Sequence, residues 1–177
     1  DLKFAQSADV MYITHPAHEV EKLSRTAHTT WTLTDVDFTK GPMQDANTTD
    51  TTLNPGQSAV GTGIALVASA TTGINGGSGF LATDVGRFVF LSAGYAKITG
   101  VTDTTNAVIT IITALTNADA TANWQLGAFS DTTGHPSCVT FFEQRLVFAG
   151  TTDQPQTIFF SKSGDYENMD ANIGGTV

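Results

Sequence analysis

Two histidines three residues apart are the first candidates for chemistry in this sequence. His15 and His18 would face one metal ion if they lay on a helix, and imidazole nitrogens are common zinc ligands. Pro16 lies between them and favours a turn between strands instead. No Asp, Glu or further His stands at a spacing that completes a site, so we predict no metal here. His28 and His135 stand alone, and each is expected to be a turn or surface residue.

Acidic residues form two groups that acid–base or calcium chemistry could use. Asp35 and Asp37 alternate along a predicted strand and would share one face, as the paired carboxylates of glycosidases do. Val36 and Phe38 would share the opposite face, so the two aspartates are predicted to be the solvent-exposed side of this strand. The loop segment 45–50 (DANTTD) carries oxygen ligands but lacks the spacing of a calcium-binding loop. It also contains a glycosylation acceptor, which is a short and common pattern.

Nucleophilic and nucleotide-binding patterns are equally incomplete. Ser130 and Ser137 lie near His135 in sequence, but catalytic triads are assembled from distant positions. The glycine-rich stretches 61–63 and 73–79 are not followed by the Lys-Ser/Thr pair of a phosphate-binding loop, nor by a helix pattern. We therefore predict no catalytic, cofactor-binding or metal-binding residue, and a chain that is not an enzyme.

Aromatic residues and the single cysteine are expected to serve the core. Trp31, Tyr95, Trp124 and Tyr166 could form a carbohydrate-binding platform, but a chain with so few aromatic residues is predicted to use them as core anchors. Cys138 is predicted to be a small buried hydrophobic residue. As the only cysteine it excludes an internal disulfide and a Cys-based zinc site.

Composition favours an all-β chain with little charge. The 177 residues include 8 Lys and Arg and 17 Asp and Glu, for a net charge of −9, and 14% are charged, against about 25% in an ordinary domain. Thirty residues are Thr and 17 are Gly, which disfavours long helices. The scarcity of Lys and Arg opposes tight nucleic-acid binding. The sequence contains no run of about 18 apolar residues, so we predict no membrane insertion.

The charges are unevenly distributed and indicate a domain organisation. Residues 1–50 contain 12 of the 25 charged residues and 131–177 contain 8, whereas 51–130 contain only 5. The middle of the chain carries five or six strand patterns in about 70 residues, enough for a small barrel or sandwich. We predict outer β segments at 1–55 and 128–177 that flank an inserted small β domain at 56–127.

Strand patterns in the outer segments repeat. Residues 10–13, a proline turn and residues 20–25 have a counterpart in residues 146–149, a second proline turn and residues 158–162, and each copy ends in Ser followed by a basic residue. Two hairpins of one pattern indicate neighbouring units of a radial β repeat. The remaining predictions are a strand at 31–38, a polar connector at 39–57 and a single helical turn at 163–168.

Several segments also resemble a known family. The matching segments are 9–12 (DVMY), 22–26 (KLSRT), 28–33 (HTTWTL), 84–87 (DVGR), 124–131 (WQLGAFSD), 134–141 (GHPSCVTF), 144–151 (QRLVFAGT) and 155–166 (PQTIFFSKSGDY). Together they resemble the tail hub or nozzle proteins of tailed phages, sometimes called tail tubular protein B. The likeness extends over about two-thirds of the chain.

The resemblance implies propeller-like blade segments around an inserted β domain. It further implies an N-terminal fragment of a virion tail protein, made in the host cytoplasm, that forms a homo-oligomeric ring with other tail proteins as partners. Such a ring would be part of the channel through which DNA leaves the capsid, and a net charge of −9 would repel phosphates. The alternative function is a secreted β-rich carbohydrate-binding or adhesin module.

Overall fold

The computed structural model describes residues 1–170 and confirms the all-β class. Its antiparallel sheets are curled, and they include a half-barrel. Within these residues the strands are, in chain order, β1 Lys3–Ser7, β2 Val10–His15, β3 His18–Ala27, β4 Thr30–Asp35, β5 Leu53–Pro55, β6 Gly61–Ala68, β7 Phe88–Leu91, β8 Gly94–Asp103, β9 Asn106–Thr113, β10 Trp124–Leu126, β11 Cys138–Phe142, β12 Arg145–Ala149 and β13 Ile158–Phe160. Two single-turn 3-10 helices, Asn75–Gly77 and Ala82–Asp84, complete the regular structure.

The chain divides into two compact units. The outer unit comprises Asp1–Pro42 together with Thr133–Val177, and the central unit is Met43–Thr132. The charge distribution and strand pattern predicted the domain boundaries after residues 55 and 127, whereas the two units divide after residues 42 and 132. Leu53–Pro55, which the sequence assigns to a polar connector, is strand β5 in the sheet of the central unit. Pro55 is tolerated there because β5 is the edge strand, where an N–H can be dispensed with.

The outer unit contains two antiparallel sheets. One has the strand order β1-β2-β3-β4, and the other has the order β11-β12-β13. Both hairpins that the repeat pattern predicts are confirmed, since β2 pairs with β3 and β12 pairs with β13. Pro16 lies in the first connection and Pro155 in the second, where neither has to donate a ladder hydrogen bond.

The two sheets of the outer unit pack through one face each. The ring of Tyr12 on β2 meets the ring of Phe141 on β11 edge-on, with centroids 6.1 Å apart. Phe38 makes a similar contact with Phe148 on β12 at 6.0 Å. The buried residues of this unit include Tyr12, Val20, Val36, Leu146, Val147, Phe148, Phe159 and Met169. Burial of these side chains provides the main favourable contribution to the stability of the unit.

Two predicted elements differ in the structure. The strand expected at 31–38 ends at Asp35. Val36 turns inward and is buried, and its N–H donates to the carbonyl of Val20 at 2.8 Å. The strand therefore ends before Val36, whose side chain belongs to the core of the outer unit. Residues 163–168 form turns and take part in two isolated bridges, without a helical turn.

The central unit is a six-stranded antiparallel sheet with the order β10-β7-β8-β9-β6-β5. Its register shifts at several points between β8 and β9 and once between β6 and β9, and such irregularities help a sheet to curl. One apolar cluster fills the unit and includes Leu66, Phe80, Ile98, Ile109 and Trp124. The Trp124 indole N–H donates to the carbonyl of Thr51 at 2.9 Å, so its one polar group is satisfied.

Gly79 is predicted to be indispensable to the central unit. Its φ of 77° is in the left-handed region, and a Cβ added there would clash with the backbone carbonyl oxygen of Thr104. That oxygen already accepts the Phe80 N–H at 2.8 Å and cannot easily move. Gly79→Ala is therefore expected to destabilise the unit by well over the cost of the left-handed conformation alone, which is about 1–2 kcal/mol.

Gly76→Ala is the matched control, because Gly76 has a φ of 64° and the space that a Cβ would occupy has no close neighbour within 4 Å. Urea unfolding would be followed by Trp124 fluorescence in a Trp31→Phe background, so that the signal reports on the central unit. Gly76→Ala should lose about 1 kcal/mol. Equal losses for the two variants would contradict the assigned clash.

Candidate functional site

The two histidines of the β2–β3 turn lie close together. The rings of His15 and His18 are 5.0 Å apart between centroids, and His15 Nδ1 accepts the Ala17 N–H at 3.2 Å. Within residues 1–170 no three His, Cys, Asp or Glu side chains are grouped as metal ligands. The pair is explained by the turn, which places residues 15 and 18 opposite each other across the hairpin.

The acidic candidates lie in two different settings. Asp35 ends β4 and Asp37 lies beyond it, and both are exposed as predicted. In segment 45–50, the Asn47 amide is used within the loop: its Nδ2 donates to the carbonyls of Thr49, Thr51 and Ala122, and its Oδ1 accepts the Thr49 N–H at 3.0 Å. The Asn47 side chain thus organises this loop.

The predictions for His135 and Cys138 are wrong. His135 is buried rather than a surface residue, and its backbone N–H donates to the Pro16 carbonyl at 3.1 Å. Cys138 is exposed rather than buried. The cause is strand alternation, because Cys138 begins β11 with its side chain on the face opposite to Val139 and Phe141. Ser137 lies beside it, with Oγ 3.8 Å from the Cys138 sulfur.

The aromatic candidates divide between core and surface. Tyr95 and Trp124 are buried, as predicted, and Tyr166 is half-buried with its ring 5.0 Å from that of Phe141. Trp31 contradicts the prediction, because it is more than half exposed. The guanidinium of its cross-strand neighbour Arg25 lies 5.8 Å from the ring centroid, within cation–π range.

A buried ion pair lies in the central unit. Asp84 and Arg87 are 0% and 1% exposed in their side chains, and Arg87 Nη1 donates to Asp84 Oδ1 at 2.9 Å. Arg87 also donates to the Gly127 carbonyl at 2.7 Å and to the side-chain oxygens of Asn75 and Gln44 at 2.7 and 2.6 Å. The network ties together four separate segments of the unit.

Asp84 is satisfied just as fully. Its Oδ2 accepts the Asn75 amide at 2.7 Å and the Leu81 N–H at 2.9 Å. Burying a charge is tolerable only with such partners. Because each donor and acceptor of the pair is engaged within the protein, we assign the pair to structure rather than to catalysis. The sequence signal was present, since Asp84 and Arg87 are two of only five charges between residues 51 and 130.

Asp84→Asn is predicted to cost the central unit about 3–5 kcal/mol, because it leaves the Arg87 guanidinium buried without its countercharge. The matched control is Asp119→Asn, the same chemical change at a more accessible position of the same unit. The control should alter stability by no more than about 0.5 kcal/mol. Urea unfolding monitored by Trp124 fluorescence measures both, and a small loss for Asp84→Asn would exclude a structural role for the pair.

A second polar cluster lies inside the outer unit. The Tyr12 hydroxyl donates to Glu167 Oε1 at 3.1 Å, and Lys22 Nζ donates to both Glu167 oxygens at 2.6 and 2.8 Å. Burial, followed by the nearby Glu167 carboxylate, raises the pKa of Tyr12 well above its usual value. These contacts join β2 and β3 to the segment that follows β13 in sequence.

This cluster predicts a loss of stability in alkali. An unfolded chain releases the tyrosine proton near pH 10, whereas folded Tyr12 retains it. Stability from Tyr12 is therefore complete below about pH 10 and declines above it. Thermal unfolding followed by circular dichroism at pH 8 and pH 11 should show a larger alkaline loss for the wild type than for Tyr12→Phe. Identical losses would contradict the shifted pKa.

A cluster of large apolar side chains is exposed on one face of the four-stranded sheet. We define the first outer face by Phe4, Met11, Ile13, Leu23, Trp31 and Leu33, which share a face through the pairings of β1 to β4. Met11, Leu23 and Leu33 form a continuous row across three strands. Phe4, Trp31 and Leu33 are more than half exposed. Large side chains clustered in this way mark an interaction surface.

The three-stranded sheet carries a similar face. We define the second outer face by Phe142, Val147, Ala149, Ile158 and Phe160, which the pairings of β11, β12 and β13 place together. Phe142, Ile158 and Phe160 are 58%, 56% and 42% exposed. Cys138 lies on the same face, opposite Ala149. Sequence reasoning missed both faces, although the continuous apolar runs of β12 and β13 are typical of strands covered on both sides.

Comparison with models of known protein families and with curated proteins finds no match to this chain. No helix among residues 1–170 is long and apolar enough to cross a membrane. The two outer faces therefore stand as the candidate functional site on their geometry alone.

Proposed function

We propose that this chain is a structural component of a bacteriophage or prophage tail, within the hub or nozzle assembly that forms the DNA-ejection conduit. The observation that carries the proposal is the pair of outer faces, because exposed clusters of large apolar side chains mark interaction surfaces. The clearest segments of the family resemblance, 144–151 and 155–166, contain the strands β12 and β13 of the second outer face.

The sheet arrangement supports propeller-like stacking in the outer unit. A propeller blade is an antiparallel sheet of four strands in sequence order, and β1 to β4 have this composition. The sheet of β11 to β13 repeats the proline-turn hairpin and would be the second blade segment. Met43–Thr132 lies between these segments in sequence and would be an inserted small β domain.

Charge supports the role in a conduit. A lining that bound DNA tightly would retard its passage, whereas a protein of net charge −9 repels phosphates. Only 8 of 177 residues are Lys or Arg, and Arg25, Lys22, Lys40 and Arg87 are engaged by carboxylates of the protein itself. The chain therefore offers few cations to a DNA backbone.

Labelling of virions tests the proposal. Antibodies raised against this chain should bind at the tip of the tail when particles of the encoding phage are imaged by negative-stain electron microscopy. Antibody pre-absorbed with the purified chain is the control and should give no label. Label on the capsid, or virions that lack the protein altogether, would overturn the assignment to the tail.

The exposure of Trp31 favours a second candidate, the secreted carbohydrate-binding or adhesin module. An exposed indole on a flat sheet can stack on a sugar ring. Glycan-array binding that is abolished by Trp31→Ala and retained in Phe142→Ala would support this function over a tail protein. Under the tail proposal, the chain binds no glycan through Trp31.

A further inference from the structure

We propose that Asn75 is a latent deamidation site, which the Asp84–Arg87 network holds unreactive while the central unit stays closed. Asn75–Gly76 is the only Asn–Gly pair in the sequence. Opening of the network would allow a spontaneous reaction with water that changes this segment irreversibly. All of these residues belong to the central unit, so the site does not depend on the function proposed above.

The nucleophile of the reaction is the backbone nitrogen of Gly76. It bonds to Cγ of Asn75, the bond from Cγ to Nδ2 breaks, and the amide leaves as ammonia with the proton that the Gly76 nitrogen gives up. Water then opens the resulting succinimide ring at either carbonyl, which yields aspartate or isoaspartate. Glycine favours the attack because it has no Cβ to hinder the approach or restrict the backbone.

Three hydrogen bonds hold the Asn75 side chain away from this reaction. Its Nδ2 donates to the Gly79 carbonyl at 2.9 Å and to Asp84 Oδ2 at 2.7 Å. Its Oδ1 accepts from Arg87 Nη1 at 2.7 Å. Ring closure has to swing the side chain onto its own backbone and therefore break these bonds, two of which are charge-assisted.

The backbone that carries the reacting atoms is held as well. Asn75 and Gly76 have φ values of 49° and 64° within one 3-10 turn. The Gly77 N–H donates to the Ile74 carbonyl at 2.9 Å, and the Ser78 N–H donates to the Asn75 carbonyl at 3.2 Å. Because side chain and turn are both fixed, the attack requires local opening, and its rate reports the open population.

A chain that has reacted could not restore the present network. Deamidation replaces the Asn75 Nδ2 by an oxygen, and Nδ2 now lies 2.7 Å from Asp84 Oδ2. Two carboxylates at that separation repel, so one of them must take up a proton or turn away. The Gly79 carbonyl would also lose its side-chain donor. Isoaspartate would in addition lengthen the backbone within the turn.

Mass spectrometry of the full chain, incubated folded or in guanidinium chloride and then digested with trypsin, tests the inference. Asn75 lies in the tryptic peptide 41–87, and tandem spectra locate the mass gain of exchanging NH for O. The unfolded chain should deamidate at Asn75 at least about 100-fold faster than the folded chain. Asn54 in the same peptide is an internal control, because Pro55 has no N–H to give up and blocks this route.

Variants that stay folded by circular dichroism identify what protects Asn75. Gln44→Leu removes one acceptor of Arg87 and should accelerate deamidation at Asn75 at least about 5-fold. Asp84→Ala, which adds no further amide, should accelerate it more. The matched control Asp119→Asn should leave the rate at Asn75 unchanged, because Asp119 is exposed.

Gly76→Ala tests the chemical route. The added methyl group hinders attack by the nitrogen, and the space around it is open. In guanidinium chloride this variant should deamidate at Asn75 much more slowly than the wild type.

Four results would overturn the inference. Equal rates in the folded and the unfolded wild type would mean that the fold gives no protection, and an unfolded chain that keeps its Asn75 amide would exclude the site. Folded Gln44→Leu and Asp84→Ala proteins that react no faster than the wild type would place the protection outside the ion-pair network. An unchanged rate in unfolded Gly76→Ala would exclude the succinimide.

Discussion

A β-sheet that is apolar on both faces must be covered on both faces, and this constraint governs the three-stranded sheet of the outer unit. Phe159 on β13 points into the core and is buried, whereas its neighbour Phe160 points outward and is 42% exposed beside Phe142 and Ile158 on the same face. Burial of one such large side chain contributes about 1.5–3 kcal/mol, so leaving several of them in water forgoes a large favourable term. The second outer face is therefore suited to pack against a partner sheet.

The central unit is stabilised by an apolar core that encloses one ion pair. Its core is almost free of charge, yet it contains the Asp84–Arg87 pair, whose groups are hydrogen-bonded to Asn75, Gln44 and the Gly127 carbonyl. A buried pair of this kind adds little net stability compared with apolar packing, but it penalises any arrangement that leaves one partner alone. We infer that it fixes the positions of the loops that it joins, while the apolar cluster supplies most of the stability.

The function proposed for the chain agrees with how these features are divided. Residues that could have formed a catalytic or metal site are used in turns, as with His15, or in loop hydrogen bonds, as with Asn47. The outer sheets instead expose large apolar side chains, which are suited to binding other protein surfaces. The sheet faces explain why an aromatic residue such as Trp31 lies outside the core in a chain with so few aromatic residues.

Local pattern in the sequence was enough to determine the all-β class, most strands and both proline-turn hairpins, because alternation and turn residues act over a few neighbours. The same reasoning placed the Asp35 and Asp37 carboxylates in solvent. It failed for Cys138 and Trp31, since period-two alternation says which residues share a face but not which face is covered. It also failed for His135, which lies outside the strands and is buried by contacts with remote segments. The covered face depends on Tyr12 meeting Phe141, 129 positions apart in the chain, and the burial of Asp84 likewise depends on distant segments. Only the tertiary structure decided these points, because contacts between remote residues leave no local signature in a single sequence.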